Sequence, residues 1–146
     1  MTVHLLRVEL DAADCAPLFA AAAALDLRVG WLELEPQTFP ALPPSLEQAA
    51  QAGALRAVAI GAGRSVAVKP MRGAPVIKDV LREHFAGCAL VLVRGAIDLP
   101  KLEREGDGWR VRMDEESRGY TTEQLARALR RPRAFDFEVA ETPAPI

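Results

Sequence analysis

The chain has 146 residues, half of them hydrophobic and 26% charged, with a formal net charge of −2. These values exclude a collagen-like, mucin-like or wholly disordered polypeptide. A chain of this length buries about two-thirds of its unfolded surface as one domain, without help from a metal or a disulfide.

Targeting and cysteine usage point to the cytoplasm. The opening Met1–Leu5 has no basic stretch followed by an apolar run, so it is not a secretory signal. The most apolar segment, Cys15–Leu27, is interrupted by Pro17 and Asp26 and falls short of the roughly 20 residues a bilayer span needs. No membrane partner is expected. Cys15 and Cys88 form no CxxC or Cys/His cluster, which excludes a zinc ribbon or finger. They are expected as free, buried thiols, with a single Cys15–Cys88 bridge as the alternative. Residues 1–63 carry 3 basic and 7 acidic side chains, whereas residues 64–133 carry 15 and 10. The basic middle is expected to pair mainly with acids of its own chain.

In chain order, Val3–Leu10 reads as a strand, with apolar positions interleaved by His4, Arg7 and Glu9. Asp11 is placed to cap a helix through Leu27, and its Ala20–Ala24 run is slim enough for close approach to a sheet. Val29–Glu35 alternates as a second strand. Pro36–Pro44 is a proline-rich loop, and Ser45 with Gln48 predicts a capping box opening a short helix to about Ala52. Leu55–Ile60 and Ser65–Lys69 are short apolar strands joined by a hairpin at Gly61-Ala62-Gly63-Arg64.

Pro75 is suited to the first position of a third helix, where its missing N–H costs nothing. Ile77, Val80, Leu81 and His84 continue that helix as a stripe, and Gly87 ends it. Ala89–Val93 is continuously apolar, the mark of a strand buried on both faces. Leu102–Glu105 and Trp109–Met113 flank a second hairpin. Thr121 with Gln124 predicts another capping box, opening a last helix to about Arg131.

Helices interleaved with strands and hairpins predict an α+β or mixed α/β fold. The expectation is a single domain over residues 1–140, with a mixed, partly antiparallel sheet and about four helices packed on it. Residues 141–146 are expected as a mobile tail.

Among candidate sites, the segment Lys69-Pro70-Met71-Arg72-Gly73-Ala74-Pro75 is the most informative. It leaves a strand and enters a helix N-terminus, where unpaired N–H groups and the helix dipole favour an anion. Lys69, Arg72 and Gly73 are the candidate ligand-binding residues for a phosphate- or carboxylate-bearing small molecule. Arg64 joins them only if the hairpin brings it to the same end of the strands. The same strand, Arg-Gly turn, helix and strand over about 27 residues resembles the acetyl-CoA-binding segment of GNAT acetyltransferases. In that family a turn of the form Arg/Gln-x-x-Gly-x-Gly cradles pyrophosphate. Counted from Arg72, the two glycine positions hold Pro75 and Ile77 here. The resemblance implies acyl-CoA-dependent transfer as one alternative function.

Other features carry less. Gly61-Ala62-Gly63 is no dinucleotide fingerprint, because Val66 stands at the third glycine. His84 and Cys88 are four apart across a predicted helix end and are read as structural. Asp114-Glu115-Glu116 is read as a solvated loop ahead of the last helix, not a cation site. Arg127, Arg130, Arg131 and Arg133 complement a helix C-terminus, and nucleic acid is not an expected partner. No catalytic residue, metal or cofactor is assigned. The third class of function is a non-catalytic protein-interaction or subunit protein, as a homodimer or with another partner.

Overall fold

The computed structural model describes residues 2–36 and 38–137. It holds a mixed sheet of six strands, a separate two-stranded antiparallel sheet and four α-helices. The α+β expectation is met. The expected tail, residues 141–146, lies outside the described residues. Two compact units are present: residues 1–36 with 84–146, and residues 37–83 inserted between them in sequence.

The larger unit is built on β1 (His4–Val8), β2 (Val29–Glu33), β5 (Leu90–Arg94), β6 (Lys101–Glu105), β7 (Gly108–Met113) and β8 (Glu116–Tyr120). Their spatial order is β2-β5-β1-β6-β7-β8. The pairs β2–β5, β5–β1 and β1–β6 are parallel, whereas β6–β7 and β7–β8 are antiparallel hairpins. Parallel neighbours need a crossover connection. Helix α1 (Ala16–Ala24) supplies one between β1 and β2, and the inserted unit lies between β2 and β5.

Strand β5 lies between the edge strand β2 and β1. Leu90, Val91, Leu92 and Val93 are all fully buried, as a parallel strand covered on both faces should be. In register, His4 faces Leu90 and Leu6 faces Leu92, so this row turns to one side. There it joins Leu18 and Ala22 of α1, Leu125 and Leu129 from α4 (Thr122–Ala128) and the residue that follows it, and Trp109 and Val111 of β7 in one core. On the other side Val91 pairs with Gly30. The Phe85 ring lies over Gly30 so closely that an added Cβ would fall 2.5 Å from its Cδ1. Gly30 is thus the gap that lets an aromatic ring cap the second sheet face.

Several boundaries differ from the sequence reading, each for a local reason. The first helix does not run from Asp11 to Leu27. Residues Ala12–Cys15 form a 3-10 turn and the α-helix starts at Ala16. Pro17 has no N–H to donate to Ala13, so the α-helical ladder cannot extend upstream. Asp11 makes no side-chain cap. Ser45 is not an N-cap either. Helix α2 (Pro44–Gln51) begins one residue earlier, because Pro44 presets the helical φ at its first position. Pro75 likewise stands outside α3 (Ile77–His84), whose first carbonyl acceptor is Val76.

The acids at 114–116 do not lead into a helix. Asp114 and Glu115 make the two-residue turn of a hairpin, with Asp114 at φ 54°, and Glu116 opens β8, which was not foreseen. The last helix ends at Ala128, and Leu129, Arg130 and Arg131 continue it only through i→i−3 bonds. The capping box at Thr121 and Gln124 is formed, with both reciprocal bonds present.

The smaller unit contains α2, β3 (Ala57–Gly61), β4 (Arg64–Val68) and all of α3 except its last residue. The two strands pair from Ala57↔Val68 to Gly61↔Arg64, closed by the turn Ala62-Gly63 with Gly63 at φ +81°. Among the described residues of this unit, only Leu46 and Ala57 are buried.

Candidate functional site

The residues predicted to hold an anion all lie in the smaller unit, and the fold separates them. Lys69 follows the end of β4, whereas Arg64 begins it. Five extended residues place the two about 16 Å apart along the strand. Arg64 therefore stands at the hairpin turn, at the opposite end of β4 from Lys69. Lys69 is engaged: its Nζ donates to Glu83 of α3 at 2.8 Å and 3.1 Å, and Arg56 donates to the same carboxylate at 3.2 Å. Gly73 takes φ +72° in open surroundings, and three residues separate it from Ile77, where α3 begins. Arg72 and Gly73 remain together on an exposed loop. The strand before this turn belongs to the two-stranded sheet and the strand after α3 to the six-stranded one.

The other sequence candidates resolve as follows. Cys15 and Cys88 are both free. Cys15 is fully buried, and burial, aided by the Asp14 charge, pushes its thiol up to about 11. It is therefore protonated at neutral pH and not a nucleophile. His84 ends α3 edge-on to Phe85, and Cys88 lies in the turn beyond, with its sulfur toward Gly30. The arginines of β7 are matched by acids of β6: Arg110 donates to Glu105 and Arg112 to Glu103. Arg130 donates to the Leu25 carbonyl, and Arg133 pairs with Asp136. Much of the basic middle is spent inside the chain, as the charge distribution implied.

Two cavities were not legible in the sequence. One of about 400 Å³ lies along α4 and β8, lined by Tyr120, Gln124, Arg127 and Arg131. The other, about 780 Å³, brings Asp114, Glu115 and Glu116 to Asp136 beside Phe135 and Phe137. Among the described residues no three His, Cys, Asp or Glu side chains are arranged to hold a metal ion. No helix among them is long and apolar enough to cross a membrane.

The feature of greatest weight is one the sequence reading passed over. Among the described residues the exposed large hydrophobics are Phe39, Leu55, Val58, Ile60, Val66, Met71 and Val76, and every one falls in the smaller unit. Val58 and Ile60 share one face of the hairpin with Ala67 and Ser65, and that face is open to solvent. Leu55 is 88% and Ile60 82% exposed. The apolar runs of the hairpin were visible in the sequence. What it lacked was any sign that they would stay uncovered.

No family model, no curated protein and no solved structure matches the chain.

Proposed function

We propose that the chain is a non-catalytic interaction protein whose inserted unit, residues 37–83, presents the β3–β4 hairpin to a protein partner. The observation that carries this reading is the confinement of the exposed large hydrophobics to that unit. Scattered exposed apolar residues are ordinary, but a cluster on one element marks an interaction surface. A two-stranded sheet is also marginal by itself and gains stability from further strands or cover.

The test places a photo-crosslinking amino acid at Ala67, on the open hairpin face, and a control probe at Glu123, on the exposed side of α4. In cells producing the full chain, the Ala67 probe gives an adduct of defined mass that Ile60→Lys abolishes, and the Glu123 probe does not give it. Equal or absent labelling at the two positions refutes the reading. An anionic small ligand at Lys69, Arg72 and Gly73 is the less supported reading, because Lys69 already holds Glu83. A thermal-shift panel of nucleotides, CoA species, sugar phosphates and carboxylates tests it, and Arg72→Ala should cancel any shift.

A further inference from the structure

Resting on that reading, we infer that the partner of the hairpin is a second copy of this chain, paired antiparallel through the free edge of β3. Among the described residues, strand β3 has β4 on one side and no strand on the other. Exposed edges are usually guarded by charges or proline. The β4 edge is guarded in this way by Arg64 within the strand. The β3 edge reads Ala57-Val58-Ala59-Ile60-Gly61 and carries no charge and no proline. A neutral apolar edge is matched by a neutral apolar strand, and β3 itself supplies one.

The register follows from the hairpin. Gly61 closes the two-residue turn against Arg64, so Gly61, Ala59 and Ala57 direct their backbone groups to β4. The alternate residues, Val58 and Ile60, direct theirs outward. An antiparallel seam centred on Ala59 then sets Val58 against Ile60 of the other copy, twice. All four outward N–H groups and all four outward carbonyls are satisfied in one symmetric contact. The same register merges Val58 and Ile60 of both copies into one apolar face. Like charges do not meet: the two Arg56 side chains stand about 20 Å apart along the seam, beyond the screening length at physiological salt.

Edge pairing leaves the broad faces of the hairpin open, so the contact is small and the dimer forms in a concentration-dependent way.

The experiment is sedimentation of the purified full chain from 1 µM to 1 mM. A reversible monomer–dimer equilibrium is expected. Ile60→Lys, which guards the edge, should weaken it at least tenfold, and Val66→Lys, on the already guarded strand, should weaken it far less. Register is read separately, in a Cys88→Ser background under oxidised glutathione. Ala59→Cys should form an intermolecular disulfide, and Ala67→Cys should not. A monomer at 1 mM, a dimer insensitive to Ile60→Lys, or equal disulfide yield at positions 59 and 67 overturns the inference. If the purified chain is monomeric while the Ala67 probe still captures a different protein in an Ile60-dependent way, self-pairing fails and the interaction reading stands. If the probe captures nothing and the purified chain is monomeric at 1 mM, both fail.

Discussion

Truncating Leu92 to alanine tests the account of the larger unit directly. Leu92 lies mid-strand in β5, flanked in register by Leu6 of β1 and Trp31 of β2. It is fully buried in the same core as Leu18, Leu125 and Leu129. Leu92→Ala removes three carbons, which at about 0.8 kcal/mol each is about 2.4 kcal/mol of lost transfer energy. A residual cavity of roughly 60–80 Å³ adds about 1.5–2 kcal/mol. The sum, about 4 kcal/mol, corresponds to a fall in Tm of roughly 10–15 °C for a chain of this size. Urea unfolding followed by circular dichroism, and by fluorescence of the buried Trp109, measures it. The matched control is Ile60→Ala, which also removes three carbons, here from a side chain 82% exposed. It should cost less than about 1 kcal/mol. A Leu92→Ala cost under about 1.5 kcal/mol, or equal costs at the two positions, would refute the assignment of β5 as the core and of the hairpin as open surface.

Three further outcomes are expected. Thr121→Ala removes the Oγ1 that accepts from the Gln124 N–H at the start of α4 and should cost about 1 kcal/mol, whereas Thr121→Ser should restore most of it; equal losses would show that the cap is not the cause. Burial holds the His4 imidazole below its usual value of 6.5, against the opposing effect of hydrogen bonds to the Leu129 and Arg131 backbone. The unfolded chain therefore takes up that proton first. Stability is full above about pH 6.5, falls as pH drops through 6.5 toward the lower folded value, and then levels off. Urea midpoints from pH 8 to 5 should show this slope in the wild type and not in His4→Gln, and parallel curves would sink it. Finally, Ellman's reagent should modify the half-buried Cys88 in the native protein and spare Cys15 until unfolding; equal rates would contradict the buried, protonated state of Cys15.

Local signals were legible wherever one short-range interaction decides the outcome. The capping box at Thr121, the turn at Gly106-Asp107 and the doubly buried run at Ala89–Val93 are examples, each needing only its own residues to be read. Where two local signals competed, the rigid one prevailed. Pro17 and Pro44 set the starts of α1 and α2 against the polar caps offered by Asp11 and Ser45, because a fixed φ and a missing N–H outweigh one side-chain hydrogen bond. Strand β8 was missed because Glu116–Tyr120 has little apolar alternation. It forms by pairing with β7, a contact that residues 116–120 alone do not announce.

The candidate anion site shows the same division. Its residue types and their order were visible, and so was the strand between Arg64 and Lys69. Whether the two cations share an end, and that Glu83 reaches back to hold Lys69, depended on how α3 folds onto the hairpin base.

Composition and periodicity by themselves settled the class of fold, the strand buried on both faces and two of the three hairpins, because backbone geometry and apolar spacing act within a few residues. Tertiary structure decided the strand order β2-β5-β1-β6-β7-β8, the meeting of His4 with Leu129, and above all which apolar residues stay uncovered. Val91 and Ile60 are equally apolar and both lie in strands. One is sealed and the other open because burial belongs to the neighbours a residue acquires, and those neighbours come from distant parts of the chain.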